Sequence, residues 1–245
     1  RGQGLPPPDV SNAILALAPH LGAFIERLFG VEEACRGFRQ EAVKEETIAS
    51  CKKEFVIRRA LRNMSKDDVL RLPHAVLDQQ IRILHEAFPE LPGDDAELSF
   101  AMMASRLLEY ERQSLFPVSD DLRNRVRRIA AVLGRHEEFR SIMPAGEDEQ
   151  QMPAFLTALL WLCEQWIASQ YYRATPLAQS WEMFKIPQKI DYNHLVEVET
   201  HGHPVPNTNF GPARHYRRRE GFDLTDPRFS QREVMGEVHY CIFCH

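Results

Sequence analysis

Pro153-Ala154-Phe155-Leu156-Thr157-Ala158-Leu159-Leu160-Trp161-Leu162-Cys163-Glu164-Gln165-Trp166-Ile167-Ala168-Ser169-Gln170-Tyr171-Tyr172 is the most apolar stretch of the chain, and its reading decides the fold. Leu159, Leu162, Trp166 and Ile167 fall at helical spacing, so the segment reads as a long helix that is apolar on most of its surface. Pro153 stands at its start, where the first turn has no intrahelical use for an N–H and tolerates a proline. Cys163, set among Leu159, Leu160, Trp161 and Leu162, reads as a small buried hydrophobe.

Working back from this helix, the same punctuation recurs. Ser119 is placed to cap a helix with Leu122, Val126, Ile129 and Leu133 one turn apart, since a serine side chain accepts from an otherwise orphaned backbone N–H. Another helix follows Gly93-Asp94-Asp95 and carries Leu98, Met102, Leu107 and Leu108 before Pro117. Val76, Ile81, Ile83, Leu84 and Phe88 form a run that ends at Pro89 and Pro92. Ser65 opens a short helix in which Asp68 supplies an acidic variant of the capping box. Ala34, Phe38, Ala42, Ile48, Phe55, Val56 and Leu61 make one long pattern with charges between them. At the front, Ser11 is expected to cap a helix bearing Ile14, Leu17, Leu21, Phe24, Ile25 and Leu28, with Gly30 as its stop.

Beyond Pro176 the pattern breaks at Pro187, Pro204, Pro206, Pro212 and Pro227. Leu195-Val196-Glu197-Val198 reads as a short strand, and residues 200–227 as a long irregular loop of the kind that is functional or docked on a partner. Ser230-Gln231-Arg232-Glu233 then forms a capping box for a short helix leading into the last cysteines. The expected fold is all-α: a multi-helix array over residues 1–175, followed over 176–245 by an extended, Pro-rich arm with little strand.

The composition sets limits on function. The 245 residues are 44% hydrophobic and 27% charged, with a formal net charge of -5. That supports a packed core and argues against wholesale disorder, a collagen-like repeat or general nucleic-acid binding by the whole chain. No apolar run reaches the ~18 residues of a membrane span. Five cysteines, Cys35, Cys51, Cys163, Cys241 and Cys244, form no disulfide framework and point to a reducing, cytoplasmic compartment. Both ends read as cut: the chain opens Arg1-Gly2-Gln3-Gly4 without an initiator Met and closes on a metal-ligand motif, as a fragment of a longer protein would.

That motif, Cys241-Ile242-Phe243-Cys244-His245, is the strongest chemical signal. Two cysteines three apart bring both sulfurs to one ion or cluster. Four readings stay open: part of an iron–sulfur or zinc site completed by other ligands, a c-type haem attachment, a redox dithiol, or a pair with no common role. The basic run Arg214-His215-Tyr216-Arg217-Arg218-Arg219 either binds a phosphate or acidic surface or pairs with the acids just after it, Glu220, Asp223 and Asp226. His194, His201, His203, His215 and His239 read as solvated histidines rather than a zinc site. The segment Lys52-Lys53-Glu54-Phe55-Val56-Ile57-Arg58-Arg59-Ala60-Leu61-Arg62 reads as an amphipathic helix with a solvated charged face. The chain has no glycine-rich phosphate loop, no G-x-S-x-G and no H-E-x-x-H, so nucleotide-dependent catalysis within these residues is not expected.

Arg217-Arg218-Arg219-Glu220-Gly221-Phe222-Asp223-Leu224-Thr225-Asp226, together with Tyr240-Cys241-Ile242-Phe243-Cys244-His245, resembles the N-terminal part of large bacterial glutamate-synthase-small-chain-like, pyridine-nucleotide-disulfide flavoprotein oxidoreductases. Lys52-Lys53-Glu54-Phe55-Val56-Ile57-Arg58-Arg59-Ala60 resembles the helical region ahead of that motif. The resemblance implies that Cys241 and Cys244 are ligands of an iron–sulfur cluster whose other ligands lie outside this chain. It also implies a downstream flavin domain of the same polypeptide that binds FAD and NAD(P), and a redox partner protein. On that expectation the helical part docks or shields and is not itself catalytic. The alternative from another class is a helical interaction module with incidental or zinc-binding cysteines.

Overall fold

The computed structural model describes residues 6–141, 149–186 and 228–242, with Gly4, Tyr192, Asn193, Leu195, Gly211 and Gly221 as isolated positions and residues 240–242 as backbone. Among the described residues every regular element is helical, so the expected all-α array is the fold. The chain divides into two compact units, Arg1–Ser169 and Gln170–His245.

The first unit begins with α1 (Pro7–Phe29) and α2 (Glu32–Cys51). α1 starts earlier than Ser11, because Pro7 and Pro8 occupy first-turn positions where no backbone donor is needed. Gly30 ends it in the left-handed region, at φ 64° and ψ 35°, and Val31 N–H returns to Glu26 O at 3.0 Å. A side chain at that φ would be strained, which is why glycine stands there. Arg39 of α2 grips the Glu26 carboxylate with both guanidinium nitrogens, Nη2 donating to Oε2 at 2.7 Å, and this fork lowers the Glu26 carboxyl below its ordinary value.

α2 does not run on as a uniform α-helix. Lys52–Leu61 is wound as a π-helix, a conformation rare enough that it commonly marks a functional or strained place. The winding buries Phe55, Val56 and Ala60, and Lys52 with them. α3 (Lys66–Arg71) follows, its Asp68 N–H donating to Ser65 Oγ at 3.2 Å. Asp68 does not close a full capping box: its carboxylate accepts from the Ser65 hydroxyl at 2.6 Å, which leaves the Ser65 backbone N–H out of the exchange. α4 (His74–Glu86), α5 (Ala96–Ser114) and α6 (Asp120–Leu133) complete the array before α7 (Met152–Arg173). Asp95 caps α5 by accepting from Leu98 N–H at 3.0 Å, and Ser119 caps α6 by accepting from Leu122 N–H at 3.2 Å.

The core lies where α2 and the π-helical segment pack against α5, with α6 against α4 and α5. Phe55 meets Phe100 at a ring separation of 6.0 Å, and Phe100 meets Trp166 of α7 at 4.9 Å. Leu107, Leu133, Phe155 and Leu156 are fully buried, each burial favouring the fold by about 1.5–3 kcal/mol. Ile14, Leu17, Leu21, Phe24 and Leu28 of α1 take no part in this core and stand exposed.

The second unit holds the end of α7, then α8 (Pro176–Ser180), whose Ala178 N–H donates to Thr175 Oγ1 at 3.2 Å. Trp181 and Phe184 meet edge to face at 5.5 Å and are buried with Met183. α9 (Gln231–Ile242) opens with the expected capping box: Glu233 N–H donates to Ser230 Oγ at 3.1 Å and Ser230 N–H to Glu233 Oε2 at 2.7 Å. The expected strand at 195–198 lies, apart from Leu195, outside the described residues, and so does most of the loop over 200–227.

Candidate functional site

α9 is the element that carries the cysteine motif, and it is held at its start. Ser230 Oγ donates to Glu182 Oε2 at 2.9 Å, and Gly236 lies so close to the Glu182 backbone that an added Cβ would meet its carbonyl oxygen at 3.4 Å. Cys241 therefore sits in the last turn of a positioned helix. Cys244 and His245 lie outside the described residues, as do His194, His201, His203, His215 and Arg214, Arg217, Arg218 and Arg219. His239 belongs to α9, two residues before Cys241.

The donor set can be tested for fit to a cluster. Common iron–sulfur clusters take four thiolates, and the Cys241-x-x-Cys244 pair would account for two. Cys51 and Cys163 are reduced and buried in the other unit, and burial pushes both thiols far above their ordinary range, with neighbouring Cys51 and Glu164 adding to the effect at Cys163. Such thiols are poor ligands, because the thiolate is the ligating form. Among the described residues no three His, Cys, Asp or Glu side chains come together to hold a metal ion. The described donors therefore do not enclose a metal ion.

The first unit contains a partly buried ionic centre built around Arg59, a residue of the segment expected to present a solvated charged face. Arg59 projects from the π-helical segment and its Nε donates to Glu164 Oε1 of α7. Its Nη1 and Nη2 donate to Glu111 Oε2 and Oε1 of α5 at 3.0 and 3.4 Å, and Thr157 Oγ1 donates to Glu111 Oε1 at 2.9 Å. Glu164 is 2% exposed, and its second oxygen has no hydrogen-bond partner. Burial works against ionisation of Glu111, but the hydrogen bonds from Arg59 and Thr157 and the charges of Arg59 and Arg112 outweigh it and lower its carboxyl. Burial likewise opposes the charge on Arg59, and the two carboxylates raise its pKa despite it. The centre clamps three helical segments together, the π-helical one, α5 and α7.

A second polar set links α4 to α7. Ser169 Oγ lies 3.0 Å from His74 Nδ1, His74 Nε2 lies 3.4 Å from Asp78 Oδ2, and Trp166 Nε1 donates to Asp78 Oδ1 at 2.6 Å. The order Ser–His–Asp has the connectivity of a hydrolytic triad. Ser169 is fully buried, however, and the carboxylate is shared with an indole. A nucleophile that no substrate can reach makes this a packing network. A surface cleft of about 340 Å³ lies among Phe88, Tyr110, Arg125, Arg128, Ile129 and Arg135. Arg125 is already engaged by Asp121 at 2.8 Å and Tyr110 at 3.3 Å, and Glu86 and Glu90 also line the wall. Its mixed charge selects no ligand.

No known protein family, curated protein or solved structure matches the chain. Among the described residues, no helix is long and apolar enough to cross a membrane.

Proposed function

We propose that this chain is the helical N-terminal part of an iron–sulfur flavoprotein oxidoreductase that passes electrons between NAD(P)H, FAD and a cluster. The observation that supports it is the Cys241-x-x-Cys244-His245 segment leaving the last turn of α9, a helix fixed by its capping box and by Glu182. A ligand carried by the last turn of an anchored helix, as Cys241 would be, has its backbone already fixed, which lowers the ordering cost of metal binding. Cys241 and Cys244 would hold one side of the cluster, and a downstream flavin domain of the same polypeptide would supply the remaining ligands with the FAD and NAD(P) sites. The helical part docks a redox partner protein or covers the redox centres in a reducing, cytoplasmic setting. It contributes no catalytic acid, base or nucleophile.

The interaction-module reading has one specific observation in its favour, the uncovered apolar side of α1. Metal content separates the two. The protein expressed anaerobically from its full reading frame is expected to contain iron and acid-labile sulfide, with flavin bands that bleach on addition of NAD(P)H. The Cys241→Ser and Cys244→Ser double variant should lose the iron and sulfide and keep its far-UV circular dichroism. Unchanged iron in that variant overturns the ligand assignment, and zinc or no metal in the parent protein selects the module.

A further inference from the structure

Of the residues of α1, only Glu26 is buried. Ile14, Leu21 and Phe24 are 62%, 56% and 57% exposed, and Leu17, Ile25, Leu28 and Phe29 are exposed beside them. Ile14, Leu17, Leu21, Phe24 and Leu28 follow one another in alternating three- and four-residue steps, the spacing of the a and d positions of a heptad. At 3.6 residues per turn this stripe covers roughly 80° of the helix, and Glu26 lies about half a turn round from Leu28. Since Glu26 is the side chain that Arg39 grips, α1 meets α2 with one side and turns the stripe away from it.

We propose that α1 is a homodimerisation helix, and that two copies of this chain pair through the stripe. The extent of the surface argues for a protein partner. The stripe and its apolar flanks expose on the order of 700 Å² of side chain per copy, near the ~800 Å² each partner contributes to a standard interface and above the ~300–600 Å² of the largest patch on a typical monomer. A second copy is the occupant that matches it: a heptad seam is its own complement in length and spacing, and a two-fold axis sets the same patch against itself. The flanking positions allow this. Ala13, Ala18, His20, Ile25 and Arg27 border the seam, so little like charge is brought together. A helix that binds a membrane surface carries many Lys and Arg on its polar side, and α1 has Arg27 alone of these. Pairing also accounts for the helix itself, because a helix with so few contacts to its own chain is marginal in water.

The test is sedimentation of the 245-residue chain in reductant. The expected species is a dimer, twice the 28.3 kDa chain mass. Leu17→Glu with Phe24→Glu should raise the dimer dissociation constant at least about 100-fold, and because both side chains are exposed, the circular dichroism and unfolding of the remaining helices should stay as in the parent. Asn12→Glu, on the side away from the stripe, should leave the dimer intact. A parent protein that sediments as a monomer at about 100 µM overturns the proposal, whether its stripe is then protected from hydrogen exchange by the chain's own residues or binds lipid vesicles. A dimer that survives Leu17→Glu with Phe24→Glu overturns it as well. None of these outcomes depends on whether Cys241 and Cys244 hold a cluster.

Discussion

Arg59 shows how a single side chain can be misplaced by its neighbours in sequence. Lys52, Lys53, Arg58 and Arg62 surround it and suggest a solvated face, and Arg58 indeed pairs with Glu54 at the surface. Arg59 turns inward to carboxylates 52 and 105 residues away in the chain, a separation that leaves no local pattern to read. The bonds from His74 to Ser169 and from Trp166 to Asp78 span 95 and 88 residues and were missed for the same reason. Cys163 was legible, because an apolar setting without neighbouring ligands is itself local information, whereas Cys51 stands beside Lys52, Lys53 and Glu54 and its burial had no such local sign. Removing one partner of a buried ion pair leaves an uncompensated charge. Arg59→Leu is therefore expected to cost about 3 kcal/mol, and Arg59→Leu combined with Glu164→Leu to cost less than the single change. Urea unfolding of the two variants measures the difference, and equal losses would show that Glu164 does not need its arginine.

Element ends were readable at Ser119 and Ser230, which accept the N–H that the sequence assigned to them. Asp95 caps α5 from the Gly93-Asp94-Asp95 stretch that the helix was expected to follow, whereas Thr175 caps α8 just before Pro176, where the helical pattern was expected to break. The start of α1 was not readable in this way, since the prolines that usually break a helix here begin one. The π-helical segment left no signature either, because Phe55, Val56 and Ala60 suit an α-helical period equally well. Two substitutions test the ends that were legible. Ser119→Ala should destabilise the fold by about 1 kcal/mol through the orphaned Leu122 N–H. Gly30→Ala should cost about 1–2 kcal/mol, since it forces a side chain into the left-handed region. Thermal unfolding of each variant checks both figures, and a neutral Gly30→Ala would mean that the turn re-forms with another geometry.

At the scale of the whole molecule, the charged groups fix how stability follows pH. Burial lowers the pKa of His85 below its ordinary 6.5. Glu111 lies below 4.5: burial raises its pKa, but Arg59 and Thr157 outweigh burial. In both cases the unfolded chain binds its proton first as the pH falls. Each contribution is complete above the ordinary value and is lost as the pH drops through the lowered folded one. Stability is thus expected to decline in two steps on acidification, the first beginning below 6.5 and the second below 4.5. His85→Gln should remove the first step, and Glu111→Gln should shrink the second, to which the lowered Glu26 also contributes, as read from urea midpoints across pH. A flat profile between neutral pH and 5 would show that His85 is reached by solvent. The helical class was legible because periodicity recurs in every segment up to residue 173. Which helices meet was not, since it depends on pairs such as Phe100 with Trp166.

The sequestered sulfurs have a consequence for chemical damage. Peroxide and electrophiles attack thiolates, and Cys51 and Cys163 are held as thiols out of contact with solvent. These two sulfurs of the helical array are thus shielded from such reagents by the packing around them. Of the three cysteines whose side chains are described, Cys35 is the one that reaches the surface, so among them an oxidant meets Cys35 first.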